Sequence, residues 1–457
     1  MPRLALLLLV VMPGCQSYQP VPLDLRAHDD AWANRDPASP AVAAYAARLI
    51  SAQTTTGAVV AFDPSDGLEL PEARAVALYF NPRLRAARLK ARVPAVGAKE
   101  AGQWADPVLQ VDVERIIDSV AHPWVIGGLL NLTIPLSGRP ALERQRAIAE
   151  AGVAAAEALA EEHRVLAELD EAWTELRLAD ERIELTRSYL TDLDALTSQA
   201  ERLRAAAELS PIEAGLFRVE QARRRIELQY LQSRRAEREM AVKLLLGLTP
   251  KADIALTIAL PTPLRQGDLP SRQHIEAWHP RILVAKSEYA VAERTLELEV
   301  RRQYPDLMLG GGYGRDEGTR RVLGGLGISI PLFNANRRAI AEARADRDSA
   351  RAAVEAAYEE VVGALARTDA LRNAARSRRD ALARDVAPLA DEQLLAARNL
   401  GRLGNVSTVV VFEALTRAHE TRLDLLEAAA AEVAAINQLN ALVRAIQGME
   451  PATQEKR

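Results

Sequence analysis

The chain has 457 residues, a net charge of −4, 26% charged and only 4% aromatic residues, and a single cysteine. Alanine, leucine, arginine and glutamate dominate, which is the make-up of long amphipathic helices. Interleaved acids leave no basic patch for a nucleic acid, and one cysteine excludes internal disulfides and thiolate metal sites.

Residues 1–15 read as a lipoprotein-type signal peptide. Arg3 gives a positive start, Leu4 to Met12 form a short apolar core, and Cys15 follows Gly14. That core is too short for a transmembrane helix. The segment resembles a bacterial lipoprotein signal, with Met12-Pro13 in place of the usual leucine and small residue; the resemblance implies that Cys15 is acylated. A plain signal peptide with an incidental cysteine is the alternative. Residues 16–67, with prolines at 20, 22, 37, 40 and 64, read as an N-terminal tether that is extended apart from one short helix near Ala41–Ala52.

Residues 68–247 form a first helix–strand–strand–helix repeat. A helical pattern runs from Leu68, with Pro71 suited to a first turn, to about Gln103. Asp106 to Glu114 then alternates, with Leu109, Val111 and Val113 on one face and Gln110, Asp112 and Glu114 on the other. After a turn around His122-Pro123, Leu130, Leu132 and Ile134 alternate with Asn131 and Thr133. A tract without proline from Ala141 to Ser210 carries Leu159, Leu166 and Trp173, and Leu169, Leu176, Ile183 and Leu190, at heptad spacing; Leu178 and Leu185 lie on nearly the opposite face. Leu209-Ser210-Pro211 breaks it, and Ile212, Val219, Ile226 and Met240 set a new seam up to Leu246-Gly247.

Residues 248–271, rich in proline, are the joint between repeats. Residues 272–448 repeat the plan: helix to about 303, hairpin, helix to about 402, a break at Gly401–Ser407, then a last helix. In the hairpin Leu307, Leu309 and Tyr313 share a face, and Leu326, Ile328 and Ile330 alternate with Gly325, Gly327 and Ser329. Runs of about ten residues are long enough for tilted strands to cross a bilayer. Ile134-Pro135-Leu136 recurs as Ile330-Pro331-Leu332, and Asn81-Pro82-Arg83-Leu84 as His279-Pro280-Arg281-Ile282, so the chain is an internal duplication. Residues 449–457 form a charged tail expected to be disordered.

Catalytic patterns are absent. The histidines at 28, 122, 163, 274, 279 and 419 are scattered, and the glycine runs 310–314 and 324–327 lack dinucleotide-binding spacing, so neither enzyme, metal nor cofactor is expected. Trp104, Tyr304 and Phe333 sit at one end of the hairpins and Trp124 and Tyr313 toward the other, as membrane girdles would; core or loop aromatics are the alternative. The two helix breaks carry Ser210-Pro211-Ile212-Glu213 and Gly404-Asn405-Val406-Ser407, with Glu413 beyond. Taken alone, Glu413 reads as a solvated helix residue.

The duplicated Asn-Pro-x-Leu and Pro-Asp-Leu elements, the Ile-Pro-Leu-Phe strand ends and the Leu403-Gly404-Asn405-Val406-Ser407 turn resemble the outer-membrane efflux protein (TolC-like) family, over about residues 68–448, with the heavy-metal efflux subgroup nearest. The resemblance implies an α+β fold: a long antiparallel barrel of coiled-coil helices with a transmembrane β-barrel built from two hairpins per chain. It implies a homotrimer in outer-membrane lipid, working with a periplasmic adaptor and an inner-membrane pump. Gly404, Asn405, Val406 and Ser407, with Ser210 and Pro211, would form the adaptor-docking tip, and Glu413 would fall on a pore-constricting acid position. Val410 stands where the family has a second acid. Leu109, Val111, Val113, Leu130, Leu132, Ile134, Leu307, Leu309, Leu326, Ile328 and Ile330 are the expected lipid-facing residues. The function expected is the exit duct of a tripartite efflux pump in a Gram-negative outer membrane. The alternatives are a duct for one-step protein secretion and, from a different class, a periplasmic coiled-coil scaffold lipoprotein without a pore.

Overall fold

The computed structural model of the protein describes residues 17–53, 62–64, 66–117, 120–121, 123–257, 272–316, 318–328, 330, 333–403 and 406–444. Cys15 with the signal segment, Gly404 and Asn405, residues 258–271 and the tail 449–457 lie outside them.

Among its described residues, the segment expected to be an extended tether with one short helix carries two helices and is docked. Residues 17–24 are extended and exposed, but α1 (Leu25–Ala33) starts where the Asp24 side chain accepts from the Arg26 and Ala27 amides, and α2 (Pro40–Gln53) covers the one short helix that was expected. Trp32 Nε1 donates to the Gly247 carbonyl at 3.1 Å, and Arg35 donates to the carbonyls of Phe80 and Gly247. Those carbonyls end helices and have no intrahelical donor, so an indole and a guanidinium satisfy them. Val42 and Ala46 of α2 are fully buried.

In chain order there follow α3 (Leu70–Phe80), α4 (Pro82–Glu100), β1 (Val108–Arg115), β2 (Trp124–Ile134), α5 (Arg139–Ala205) and α6 (Pro211–Leu245). The second repeat has α7 (Arg272–Trp278), α8 (Pro280–Arg301), β3 (Leu307–Asp316), β4 (Thr319–Ile328), α9 (Arg337–Ala381), a π-helical turn (Leu382–Val386), α10 (Ala387–Arg402) and α11 (Thr408–Arg444). The expected helix 68–103 is thus interrupted at Asn81, and 272–303 at His279, because a residue before proline is pushed out of the helical region. Each interruption is also a restart: Asn81 accepts from the amides of Arg83 at 2.9 Å and Leu84 at 3.2 Å, and His279 Nδ1 accepts from Arg281 at 3.3 Å. The π-helical turn lies just before Pro388, whose missing N–H and ring cannot fit a regular α-helical interior.

α5, with 67 residues, is the spine and spans about 100 Å at 1.5 Å per residue. α4 and α6 stack end to end along one flank, and α8 and α11 along the other; α9 and α10 then run beside α8 and α11. Each repeat therefore has one continuous and one stacked helical track. On α5, Leu169, Trp173, Leu176, Ile183 and Leu190 are buried, while Leu159, Leu166, Leu178 and Leu185 are half-buried. The expected seam on α6 points away from the chain: Ile212, Val219 and Ile226 are 82%, 61% and 68% exposed. Its period is right, but no described residue of this chain fills it.

The core lies in two main clusters. At mid-length Trp173, Leu169 and Leu176 meet Val76 and Ala77 of α3 and Val242 and Leu246 at the end of α6. There the joint also pairs with the first repeat, the Leu68 amide donating to Ala255 and the Thr257 amide to Leu68, both at 2.9 Å. At the far end Leu193, Phe217, Leu394, Val411 and Leu415 pack both helix breaks together, with the Phe217 and Phe412 rings 4.9 Å apart. Gly401 is required here, because a Cβ would lie 2.9 Å from Val411 Cγ2.

Candidate functional site

The strands form one antiparallel sheet in the order β1-β2-β3-β4. Register decides which side chains share a face. Leu109 opposes Leu130, Leu130 opposes Gly311, Leu132 opposes Leu309, Ile134 opposes Leu307, Leu309 opposes Leu326 and Leu307 opposes Ile328. With strict alternation, Leu109, Val111, Val113, Leu130, Leu132, Ile134, Leu307, Leu309, Leu326 and Ile328 all lie on one face. Ile330 is next in that alternation, beyond the end of β4. The opposite face carries Gln110, Asp112, Glu114, Asn131, Thr133 and Arg321 among glycines, with Val108, Val125, Leu129, Met308 and Leu323.

The glycines show which way the sheet curls. On the polar face, a Cβ at Gly312 would lie 2.6 Å from the Gly128 carbonyl oxygen, and one at Gly310 2.9 Å from Asn131 Oδ1. On the apolar face, Cβ atoms at Gly128, Gly311 and Gly324 would meet nothing within 4 Å. Over the whole sheet a Cβ would meet an atom within 4 Å at four of the six glycines on the polar face, though not at Gly127 or Gly325, and at none of the three on the apolar face. The polar face is therefore the more crowded, concave one, and the apolar face is convex. Among the described residues β1 and β4 pair on one side only, so the sheet has two open edges. No helix among the described residues is long and apolar enough to cross a membrane.

Trp104, Tyr304 and Phe333 are exposed next to the helical end of the strands, and Trp124 and Tyr313 are exposed farther along them. At the first break, Ser210 caps α6 reciprocally: the Glu213 amide donates to Ser210 Oγ at 3.1 Å and the Ser210 amide donates to Glu213 at 3.0 Å. Ser210 and Pro211 are exposed, and hydrogen bonds from Ser210 hold the Glu213 carboxyl below its usual pKa. At the second break Val406 is half-buried and Ser407 is exposed, its carbonyl accepting from the amides of Val410 and Val411.

Glu413 is exposed on α11 and shares an exposed stripe with Val410, Arg417, Glu420, Asp424 and Glu427. Arg417, one turn on, approaches Glu413 to 3.5 Å. Its i,i+4 spacing from Glu413 is the sequence signal for this pair. Glu427 pairs with Arg182 at 2.6 Å, and Glu413, Glu420 and Asp424 against Arg417 keep the rest of the stripe acidic.

The structure brings histidines closer than their sequence positions suggest. His163 of α5 and His279 share a cleft with Pro280 and Ala441, and burial pushes His279 down to about 4. Among the described residues no group of three His, Cys, Asp or Glu side chains is placed to hold a metal ion. His419 of α11 is buried against Tyr189, ring centroids 4.2 Å apart, with Arg224 over the Tyr189 ring. Burial, then Arg224 and Arg422, lower its pKa from 6.5 to about 4; Glu220 opposes them. The unfolded chain then binds more protons between those values, so this group's stabilisation is lost as pH falls from about 6.5 to 4. Thermal melts across that window are expected to show the lower half loosening, and His419→Phe to flatten the pH dependence. Equal slopes for both proteins would place the effect elsewhere.

Two long helical tracks per repeat, broken at one end and surmounted by a strand pair, define a fold of long antiparallel helices carrying one antiparallel sheet at an end. Residues 272–443 match the family described as outer membrane efflux protein. The cobalt-zinc-cadmium resistance protein CzcC of Cupriavidus metallidurans is 27% identical over 303 residues, which is 64% of this chain and 70% of that protein. Among solved structures, CusC, described for its folding and transmembrane channel formation, superposes with a TM-score of 0.72 at 17% identity over 87% of this chain and 95% of that one. The outer membrane protein VceC of Vibrio cholerae gives 0.70 at 18% identity over 83% and 96%. These two likenesses are likenesses of fold.

Proposed function

We propose that the chain forms the exit duct of a tripartite efflux pump, a passive conduit from an inner-membrane pump and a periplasmic adaptor through the outer membrane. The observation that carries this is the four-stranded sheet, apolar and convex on one side, open at both edges and mounted on a helical wall about 100 Å long. Four strands do not close, about eight being the practical minimum, so further copies complete the barrel. Family resemblance favours three, with twelve strands. On this reading the eleven apolar strand residues from Leu109 to Ile330 face lipid. Val406 and Ser407, with Gly404, Asn405, Ser210 and Pro211, dock the adaptor, and acylated Cys15 anchors the mature chain. The likeness to CzcC favours divalent heavy-metal cations as cargo.

Glu413 then contributes one carboxylate per copy to a ring near the periplasmic mouth, where like charges attract cations. Arg417 tempers that ring. In planar bilayers Glu413→Ala is expected to lower cation selectivity and Arg417→Ala to raise it. Glu213→Ala, which removes a capping residue in the first-repeat turn, should change selectivity much less. Unchanged selectivity in the first two variants would return Glu413 to the role of a solvated helix residue. Deletion of the chain should sensitise cells to cobalt, zinc or cadmium; loss of a secreted protein with no such sensitivity would favour a secretion duct. Mass spectrometry of the mature N-terminus checks the lipid: an acylated Cys15 preceding Gln16 is expected.

A further inference from the structure

Charge is divided between the two faces of the sheet. Strict alternation puts Arg115 of β1, Arg315 of β3 and Arg320 of β4 on the convex apolar face. They are the only charged residues on that face among the described strand residues, and all three are exposed. Asp112, Glu114, Asp316 and Arg321 fall on the concave face, where Arg321 pairs with Asp316 at 2.9 Å. The acids of the strands thus lie on one side and three arginines on the other.

The arginines also share one end. Arg115 is the last residue of β1, Arg315 is next to the last of β3, and Arg320 is next to the first of β4, all at the end of the sheet away from the helices. Between them and the helices the same face carries apolar or aromatic side chains and glycine, from Leu307 to Tyr313 on β3 and from Val322 to Ile328 on β4. Trp124 and Tyr313 border the arginines and are exposed. Arg115 lies over the Trp124 ring, 5.6 Å from its centroid, a contact that fixes the guanidinium without neutralising it.

Two of the arginines stand against each other. Arg315 and Arg320 are directly opposed across β3 and β4. Opposed residues have Cβ atoms about 4.5–5.5 Å apart, and like charges placed so are destabilising. Arg315 Nε donates to the Gly318 carbonyl at 3.4 Å, and none of the three arginines forms an ion pair among the described residues. An anion between the two removes the repulsion, and the guanidinium fork matches phosphate oxygens. Arginine on a lipid-facing strand is costly at the bilayer midplane and nearly free at its border, so this row suits the level of head groups. Strands about 4.8 Å apart spread the row over roughly 14 Å, and acyl chains of a lipid held there would lie along the apolar residues toward the helices.

We propose that Arg115, Arg315 and Arg320, with Trp124, bind the phosphate groups of a phosphorylated glycolipid in the outer leaflet of the outer membrane. This rests on the membrane-spanning duct proposed above, which sets the helices in the periplasm and the far end of the strands in the outer leaflet. The occupant is a lipid because the arginines border an exposed apolar face that continues from them. It is phosphorylated because three cations face it with no acid among the described strand residues on that side.

The test uses the full chain purified in detergent. Native mass spectrometry reads how much bis-phosphorylated lipid A stays bound, against lipid A stripped of both phosphates. The phosphorylated form should be retained and the stripped form lost. Arg115→Gln, Arg315→Gln and Arg320→Gln should each weaken retention about fivefold, and the triple variant about a hundredfold, the scale of a cation near an anionic lipid surface. Arg321→Gln, on the concave face, should bind as the wild type does. Equal retention of both lipid forms by the wild type would overturn the phosphate site without recourse to any variant. A triple variant that binds like the wild type would overturn the assignment of residues. Displacement of lipid A by millimolar inorganic phosphate would point to a free-anion site and overturn the lipid. Wild-type protein that fails to float with vesicles after reconstitution would overturn the membrane reading itself, which is a different failure.

Discussion

Arginine in place of Leu326 or Ile328 is expected to cost about 2–4 kcal/mol if the residue lies near the bilayer midplane, and to impair assembly. Both side chains lie on the convex apolar face, where Leu326 is 74% exposed and opposes Leu309 on the neighbouring strand. A guanidinium there has no water to solvate it and no internal acid beside it. Leu323 provides the control within the same strand. It opposes Gly312, on the concave face that also bears Gln110, so Leu323→Arg would extend into the duct and is expected to assemble. Heat-resistant oligomer on gels, with the amount of protein in the outer membrane, reads both outcomes. Tolerance at 326 and 328 together with failure at 323 would invert the inside–outside assignment.

Trp173→Ala is expected to destabilise the helical wall by about 3–5 kcal/mol, the range for truncating a large buried aromatic. Trp173 is fully buried where α5 meets α3 and the end of α6, and its neighbours Leu169, Leu176, Val76, Val242 and Leu246 are also fully buried. A cavity there would open between three helices that cannot all move inward. Its indole Nε1 finds no hydrogen-bond acceptor among the described residues. Trp173→Phe therefore removes an unsatisfied donor along with some volume, and should cost far less than alanine. Unfolding followed by circular dichroism tests the pair; equal losses for Phe and Ala would mean that the indole contributes something other than packing. Both substitutions lie far in sequence from the strands, so the mature protein's targeting should be unaffected.

Much of this architecture was legible from residue order because periodicity is a local property. Alternation of Leu326 and Ile328 with glycine could only suit a strand, and register then placed ten of the eleven apolar positions on one face. Proline and serine at 210–211 marked the first break, where a reciprocal cap stands. The same signals were present at Asn81-Pro82 and His279-Pro280, where the helices do restart, but a continuous helical pattern obscured them.

From residue 68 on, the sequence by itself determined which segments are helix and strand, where the long tracks break at 210–211 and 404–407, which side of each strand is apolar and that the plan occurs twice; it did not show α1 or the restarts at Asn81 and His279. Those properties depend on backbone sterics, capping and side-chain alternation within a few residues. Only the tertiary structure decided what covers each face. Ile212, Val219 and Ile226 have the spacing of a seam, yet point away from the chain, because the period of a stripe says nothing about which helix lies against it. α1 and α2 dock on helix ends because Gly247 and Phe80 present carbonyls without donors, a pairing between residues more than two hundred positions apart in one case and 45 in the other. Arg139 meets Asp306, Tyr189 meets His419, and both helix breaks share one apolar cluster, for the same reason. Such contacts depend on how long elements lie side by side, and that is settled by the packing of the whole chain.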